Sequence, residues 1–510
     1  MTSHTASPDS RSFWYGARRS AVLLCAPALL LLLSACQDFL DRQPLDAIVE
    51  DNFFETAEDM ERAALAMYAP LQDLQWAGQG WRITEVPSDN SQAGGTDPDF
   101  TPIDDFTVAA DNIAVAGYWA VRYRAVALAN VLIARAPAAN ITPAQRERLD
   151  AEGRFIRALA YFDLVRIFGA VPMPVDEVRF GDDVLLPRTP RSEVYELIVA
   201  DLNAARAGLP DVRASSEVGR PTSGAATALL AKVQLTLGAF REARELASEL
   251  INSGRYELAE DFSELWDPAT SDAHPEAVFQ IQHAGCGPFG TGNAMQAFFA
   301  PFGEGITKDR DGWGSQIPTG PAVNNPGTGL MEAFTPEDLR RDETIMTPGT
   351  FYPNINPSDG GYTYPSQGAS RVGSNIKKYV IGAGPEVCFM STPQNVHVIR
   401  YTDVLLTLAE AAARLDGGVS VNADAVAAFN AVRERAGLEA VDIVTIDDVF
   451  AERRLEHAFE GHRWFDLLRT GNAIEIMRLH GKGIEERNLL FPIPSAELRV
   501  NTNLTQNPGY

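Results

Sequence analysis

Eight segments of the sequence carry apolar residues three or four positions apart, which is the spacing of an amphipathic helix. They run from about Thr56 to Trp76, Ile113 to Arg135, Pro143 to Phe168, Ser192 to Ala207, Ser223 to Leu237, Phe240 to Asn252, Val396 to Leu415 and Asn422 to Arg435. A helix that is apolar along one stripe must bury that stripe against a neighbour, and short connections favour antiparallel stacking. We therefore predict a mostly α fold, a degenerate tetratricopeptide-like helical scaffold in which the strict repeat motif is absent.

Between Tyr256 and Val396 the composition changes to Gly, Pro, Asn and aromatic residues, with one short alternating strand from Ala277 to His283. This change predicts an irregular, loop-rich subdomain at about 255–395, inserted between scaffold parts at about 56–254 and 396–470. A second loop-rich stretch lies between Gly78 and Phe106. Long loops in compact domains often carry function, so both stretches are candidates for a binding site.

The first 35 residues have the pattern of an export signal. A basic region precedes thirteen apolar residues from Ala21 to Leu33, which are too few to span a bilayer. The run ends in Leu33-Ser34-Ala35-Cys36, which resembles the lipobox of bacterial lipoproteins. We predict a signal peptide of residues 1–35, a lipidated Cys36, and a single mature domain of residues 36–510 that is tethered to the membrane by lipid. The Arg18-Arg19 pair leaves the choice between the general and the twin-arginine export route open.

The chain is strongly acidic. Its formal net charge of −25 becomes about −27 once the leader, with three Arg and one Asp, is removed. This balance argues against a nucleic-acid partner. Outside the leader and the lipobox the only cysteines are Cys286 and Cys388, and two cysteines form no framework, so their pairing stays open.

A further helix, predicted from Asp447 to Glu460, places Glu452, Glu456 and Glu460 on one face. Neighbouring carboxylates can catalyse glycoside hydrolysis. The cations nearby in sequence are Arg453, Arg454, Arg463 and Arg469. Because a carboxylate paired with a guanidinium is a poor proton donor at neutral pH, we predict an ion-pair cluster that ties this helix to the scaffold, and no catalytic residue.

The candidate metal ligands do not form a recognisable site. His457 and His462 are five positions apart, which misses the i, i+4 spacing of a helical zinc pair, and no third ligand is evident. The acidic residues between Asp97 and Asp105 lack the Gly and the terminal Glu of an EF-hand loop, so a solvated acidic loop is expected. We predict no metal site and no cofactor, with weak calcium binding left open.

Several stretches together resemble the SusD-like (RagB/SusD) family of nutrient-uptake lipoproteins. They are Cys36-Gln37-Asp38-Phe39-Leu40-Asp41, Arg154-Phe155-Ile156-Arg157-Ala158, Phe168-Gly169-Ala170-Val171-Pro172, the Glu452 to Leu467 signature, and the tail from Pro492 to Tyr510. The resemblance runs from Cys36 to Tyr510, whereas the segment from Gly285 to about Ile376 carries no motif of the family. Ligand identity is therefore expected to be decided in that middle segment.

The resemblance implies a binding protein at the outer face of the outer membrane. Such a protein captures an oligosaccharide, or in some relatives a peptide, and delivers it to a TonB-dependent barrel of the SusC type, over which it sits as a lid. It implies no chemistry of its own. The identity of the ligand and the face that docks on the barrel cannot be read from the residues.

A glycan site needs exposed aromatic planes for the C–H faces of sugars and planar polar groups for the hydroxyl rim. We place it where the Trp76 to Phe106 loop meets the Gly285 to Pro326 segment. The predicted stacking planes are Trp76, Trp81 and Trp313, and the predicted rim partners are Arg82, Asp89 and Asn90. The Glu85 to Asn90 stretch also resembles a family segment near the glycan pocket. Trp119, Trp266 and Trp464 lie on or beside helical patterns and are predicted to pack in the core.

Two other classes of function compete with this interpretation. One is a lipid-anchored glycoside hydrolase, which would release reducing ends from a polysaccharide. The other is a tetratricopeptide-like interaction scaffold without a small-molecule ligand. Neither accounts for the aromatic, loop-rich middle segment as well as ligand capture does.

Overall fold

The computed structural model describes residues 53–76, 80–93, 98–179, 185–286, 291–301, 304, 306, 329–365, 374–388 and 390–510. The predicted signal peptide, Cys36 and Trp313 lie outside these residues. Within them, Thr56–Tyr510 form one compact unit. No helix of the described chain is both long enough and apolar enough to cross a bilayer.

The longer helices account for most of the regular structure. They are α1 (Ala57–Ala66), α2 (Ile113–Arg135), α3 (Pro143–Phe168), α4 (Arg191–Gly208), α5 (Ser223–Leu237), α6 (Phe240–Asn252), α7 (Tyr401–Leu415), α8 (Ala423–Arg435), α9 (Ile446–Glu456), α10 (Arg463–Thr470) and α11 (Ala473–Leu479). Short helical turns lie at Ala69–Gln72, Trp81–Thr84, Thr101–Asp104, Ser215–Glu217, Phe262–Leu265, Pro268–Ser271, Met295–Phe299, Leu330–Ala333, Arg341–Thr344, Pro357–Asp359, Glu486–Leu489 and Ser495–Val500.

Local signals set the ends of the scaffold helices. The Thr142 hydroxyl accepts from the backbone N–H of Gln145, whose side chain accepts in return from the Thr142 N–H, and Pro143 occupies the first turn, where no N–H is needed. The Thr222 hydroxyl caps α5 in the same way, accepting from the Ala225 N–H. Gly238, in the left-handed region at φ 75°, ends α5.

Each scaffold helix packs against the next one along the chain, from α2 through α8. This confirms the predicted mostly α, tetratricopeptide-like scaffold. Helix α5 differs from the prediction of a single apolar stripe. Every residue from Gly224 to Ala231 is buried, since α4, α6 and α7 all pack on this helix, whereas Leu237 at its end is 45% exposed. Helix α5 therefore forms the centre of the scaffold.

The strands are short and occur in antiparallel pairs. Strand β1 (Ala277–Ile281) pairs with β4 (Val396–Arg400), β2 (Phe351–Tyr352) with β3 (Tyr362–Thr363), and β5 (Val419–Ser420) with β6 (Val444–Thr445). The prediction of a helix over Val396 to Leu415 is wrong for its first five residues, because a run rich in β-branched side chains pairs with β1 before the helix begins at Tyr401. The pairing of β1 with β4 therefore connects the early part of the loop-rich subdomain to the residues that directly follow it.

Two other predicted helices are shorter in the structure. The Thr56 to Trp76 pattern splits into α1 and Ala69–Gln72, because Pro70 cannot donate the N–H that a continuous helix would need. The Asp447 to Glu460 pattern stops at Glu456, and Phe459 takes a left-handed backbone conformation at φ 66°. Glu460 is therefore not on the helical face of Glu452 and Glu456.

A disulfide joins Cys286 and Cys388 inside the loop-rich subdomain, with their Cα atoms 5.5 Å apart. The pairing that the sequence left open is therefore settled. The bond closes a loop across 102 positions, and it draws the 384–388 segment against Gly285 and Cys286. It restrains a part of the chain that has little regular secondary structure.

Candidate functional site

Arg400, the last residue of β4, is the centre of a buried ionic cluster. Its guanidinium pairs with Glu276, with Glu456 at 2.7 Å and with Glu460 at 2.8 Å. Arg435 joins the same cluster from α8, 3.0 Å from Glu276 and 2.6 Å from Glu456. All five side chains are at most 4% exposed.

The cluster extends to the loop-rich subdomain through Arg340 and Lys378. Arg340 contacts Asp338 at 2.8 Å and Glu452 at 2.5 Å. The Lys378 amine donates to the Glu460 carboxylate at 2.8 Å and to the backbone carbonyls of Glu456, the last residue of α9, and Ala458. The subdomain is thus held to the C-terminal segment by charged groups that are withdrawn from water.

The predicted ion-pair role of the three glutamates is confirmed, but the predicted partners are wrong. The arginines close to them in sequence face other carboxylates: Arg453 pairs with Asp403 and Asp466, Arg454 and Arg463 with Asp89, and Arg469 with Glu410 and Asp466. On a helix, neighbours in sequence point in different directions, so the closest charge in the chain is not the closest charge in space.

The charges around the glutamates oppose proton donation. Burial alone would raise the pKa of Glu456, but the guanidinium groups of Arg435, Arg400 and Arg340 outweigh it and hold the pKa well below its ordinary value. Burial likewise would raise the pKa of Glu460, and the charges of Arg400 and Lys378 reverse that shift. Both carboxylates stay ionised at neutral pH, and neither can act as a general acid.

His457 and His462 are core residues that stack in parallel, with ring centroids 4.5 Å apart. Asp403 provides the third candidate metal ligand that the sequence did not reveal, and one ligand atom from each residue lies within 4.8 Å of the others. However, the Lys232 amine sits 2.9 Å from Asp403 and 3.2 Å from Nδ1 of His462. A cation of the chain itself therefore occupies this position. Burial lowers the pKa of both histidines.

Asp89 and Asn90, two of the predicted rim partners, are buried connections between the first loop and the C-terminal segment. Asp89 forms a bidentate salt bridge with the Arg463 guanidinium, with N–O distances of 2.7 and 2.9 Å. Asn90 accepts a hydrogen bond from Arg454 at 2.9 Å. The Asn90 amide donates to Glu85 at 3.2 Å. Their polar atoms are thus engaged within the protein.

Glu85 lies beneath this pair and is 1% exposed. Burial raises its pKa to about 7, although hydrogen bonds from Asn90 and from the Phe459 and Gly461 backbone favour the charged form. Asp104, further along the first loop, is buried as well and pairs with Lys482 at 2.6 Å. The prediction of a solvated acidic loop is therefore wrong at Asp104.

Trp76 and Trp81 are also buried, with exposed fractions of 6% and 4%. Cζ of Arg122 lies 4.3 Å from the centroid of the Trp76 ring. Trp81 packs edge-on against Phe100 and Phe299. The prediction that these two indoles are exposed stacking planes is wrong, because the first loop folds inward against the scaffold. They line a cavity of about 110 Å³.

The remaining predicted site residues have different outcomes. Arg82 is partly exposed, and its guanidinium lies 5.4 Å from the Phe100 ring centroid and 5.5 Å from that of Phe298. Trp313 lies outside the described residues, so its role stays a prediction. The core positions predicted for Trp119, Trp266 and Trp464 are confirmed.

A second cavity, of about 560 Å³, lies in the loop-rich subdomain. Trp266, Asp267, Lys377 and Glu386 are among the residues that line it. Sequence reasoning missed these residues because no periodicity or motif marks them, and the only signal was the Gly- and Pro-rich composition of the segment.

Residues 275–510 match the model of the SusD family, and residues 38–235 match a model described as starch-binding associating with outer membrane. SusD-like protein P2 of Formosa agariphila is 30% identical over 516 residues, which cover 94% of this chain and 98% of that protein. The chain belongs to the SusD-like family.

Solved structures of other proteins agree with this fold. A laminarin binding SusD-like protein is 28% identical, with a TM-score of 0.74 over 89% of this chain and 100% of its own. A structure described as a complex with xylogluco-oligosaccharide is 25% identical, with a TM-score of 0.75 over 86% of this chain and 97% of its own. The SusD-like fold thus extends over both the scaffold and the loop-rich subdomain.

Proposed function

We propose that this SusD-like protein captures an oligosaccharide at the outer face of the outer membrane and passes it to a TonB-dependent transporter of the SusC type. The proposal rests mainly on the similarity of nearly the whole chain to relatives that include a laminarin binding protein. The lipid on Cys36 would hold the protein at the membrane while leaving the folded unit free to move over the transporter.

The protein acts by binding and carries out no reaction. Glu456 and Glu460 support this, because both stay ionised beside cationic groups, whereas a glycosidase needs one carboxylic acid that can donate its proton. A sensitive assay for reducing ends after incubation with polysaccharide tests the point. Sustained release by the purified chain would favour the hydrolase alternative.

Glycan capture is tested by titrating the purified full chain in detergent with laminarihexaose, maltoheptaose and a xyloglucan heptasaccharide, using calorimetry. Binding of at least one of them is expected. If none binds, and a broad glycan array is also negative while the transporter complex still forms, the scaffold alternative would replace this proposal.

Within the predicted site, Trp313 is retained as a proposed stacking plane. Losing one plane should weaken binding by about 1–3 kcal/mol, or about 5- to 150-fold in affinity. Trp313→Ala is therefore compared by calorimetry with the wild type and with Trp119→Phe, which changes a buried core indole without touching the loops. Equal affinities for Trp313→Ala and the wild type would remove Trp313 from the site.

The anchor and the partner are tested in cells. Cys36→Ser should release the protein from the outer-membrane fraction or leave uncleaved precursor. Extraction of the wild type in mild detergent, followed by pull-down, should recover a large transporter subunit. A membrane-held mature Ser variant would refute the anchor, and absence of the subunit in several gentle detergents would refute the partnership.

A further inference from the structure

The cavity of about 560 Å³ lies between the 263–269, 354–357 and 377–387 segments of the loop-rich subdomain. Its volume falls in the roughly 300–1,000 Å³ range of small-molecule sites. The cavity beside Trp76 and Trp81, at about 110 Å³, falls below that range. Of these two cavities, the one in the loop-rich subdomain therefore has the size that a sugar needs.

The lining combines apolar surface with planar polar groups. Trp266, Pro268, Val380 and Val387 supply apolar surface of the kind that the C–H faces of sugar rings contact. Trp266 is 4% exposed, and the Lys378 amine lies 4.7 Å from its ring centroid, so the indole offers a ligand only a small part of its surface.

Polar groups at the edge of the cavity match the hydroxyl rim of a sugar. The side chains of Asp267, Asn354 and Glu386 are exposed and line the opening with carboxylate and amide groups. Carboxylates accept hydrogen bonds from hydroxyl groups, and an amide both donates and accepts them. Each can therefore bind a neutral, hydroxyl-rich ligand.

The charge of the lining selects against anions. Asp267, Glu343 and Glu386 line the cavity, and Lys377 is the one cation among the described lining residues. The Lys377 amine is already 3.0 Å from Glu343, and the residue is 4% exposed. A negatively charged ligand would therefore meet unbalanced carboxylates and no available cation.

One wall of the cavity is fixed in place before any ligand arrives. The Cys286–Cys388 disulfide follows the lining residues Glu386 and Val387 in the chain, and the Cys286 backbone N–H donates to the Glu386 carbonyl at 2.9 Å. The Gln296 side chain accepts from the N–H of Ile381 at 2.8 Å. A wall held in this way loses little conformational entropy when a ligand binds.

We propose that this cavity binds an uncharged segment of the oligosaccharide and excludes uronic acid and sulfated sugars. The inference rests on the proposed glycan capture, and it adds a place and a charge class for the ligand. It also gives the disulfide a role, since the bond shapes the wall on which the sugar lies.

A bulky residue placed in the wall tests the site. At Gly384 an added Cβ would meet only Val387, at an ordinary contact distance of 3.5 Å, so Gly384→Trp can fold while its indole obstructs the cavity. Gly483→Trp is the matched control, because an added Cβ there meets nothing within 4 Å and the position is outside the cavity lining. Both full-length variants are titrated by calorimetry with the three neutral probes and with hexagalacturonate as the anionic probe.

The expected result is at least a tenfold loss of affinity for the neutral probe in Gly384→Trp, unchanged affinity in Gly483→Trp, and no binding of hexagalacturonate by the wild type. Neutral-glycan binding that is unchanged in a folded Gly384→Trp chain would overturn the location. Equal binding of hexagalacturonate would overturn the charge class. Both outcomes leave glycan capture standing, whereas a wild type that binds no glycan at all overturns capture and this inference together.

Discussion

Replacing Arg400 by Met removes the central cation of the buried cluster while keeping an unbranched side chain that can fill much of the space. Three carboxylates then lose a partner. Glu276 and Glu456 keep Arg435, and Glu460 keeps Lys378. The variant therefore buries excess negative charge, but none of the three carboxylates is left without a cation.

The size of the effect follows from this arrangement. Breaking a buried pair by removing one partner costs about 3–5 kcal/mol, and the remaining cations place Arg400→Met near 3 kcal/mol. The control is Arg62→Met, which removes an exposed pair with Glu58 whose side chains are 56% and 74% exposed. An exposed i, i+4 pair contributes at most about 0.5 kcal/mol.

Urea unfolding of the full chain, followed by tryptophan fluorescence, measures both variants under identical conditions. Arg400→Met should shift the midpoint clearly to lower urea, with Arg62→Met close to the wild type. If Arg400→Met cost less than about 1 kcal/mol, the cluster would not be the structural connection inferred here. A protein that is equally stable but binds glycan more weakly would instead place Arg400 in the function of the site.

Other consequences of the buried groups can be measured in the same way. Burial raises the pKa of Glu85 from 4.5 to about 7, so the folded chain holds a proton that the unfolded chain has lost between these values, and stability falls as pH rises through that window. Glu85→Gln should reduce the loss of unfolding free energy between pH 4.5 and 8 by about 3 kcal/mol. If the variant lost as much stability over this pH range as the wild type, Glu85 would not be the group whose pKa is raised. Trp81→Ala should cost about 3–5 kcal/mol of stability as a core truncation, and a variant as stable as the wild type would show that the indole is not packed. Cys286→Ser should cost about 2–4 kcal/mol by opening the loop that the disulfide closes, with reduced wild type as the control that must show a similar loss.

The sequence was sufficient for the scaffold because its helices are specified locally. The predicted bounds of α2, α3, α5 and α6 agree with the structure, and cap residues such as Thr142 and Gly238 lie at their ends. Predictions from local patterns are wrong where pairing with a distant strand determines the secondary structure. The residues from Val396 to Arg400 extend a helical pattern, but they pair with β1 across more than a hundred positions.

The site was harder to predict because its residues are brought together from distant parts of the chain. An aromatic residue in a Gly-rich stretch can be an exposed plane or a buried anchor, and the sequence around Trp81 does not distinguish the two. Nor does it reveal that Asp89 meets Arg463, which is 374 positions away. The cavity beside Trp266 is bounded by irregular loops, for which no periodic signal exists.

The contacts of Asp89 with Arg463 and of Asp104 with Lys482 also determine when the molecule can become stable during its production. Each contact closes a loop of more than 370 residues, and such closures come late because the chain must give up much of its freedom before they form. During synthesis the C-terminal segment is the last part of the chain to be made. Until it arrives, the carboxylates of the first loop have no counterions to be buried with, so an interrupted chain remains open to proteolysis. Only a chain that includes the C-terminal segment can form both contacts.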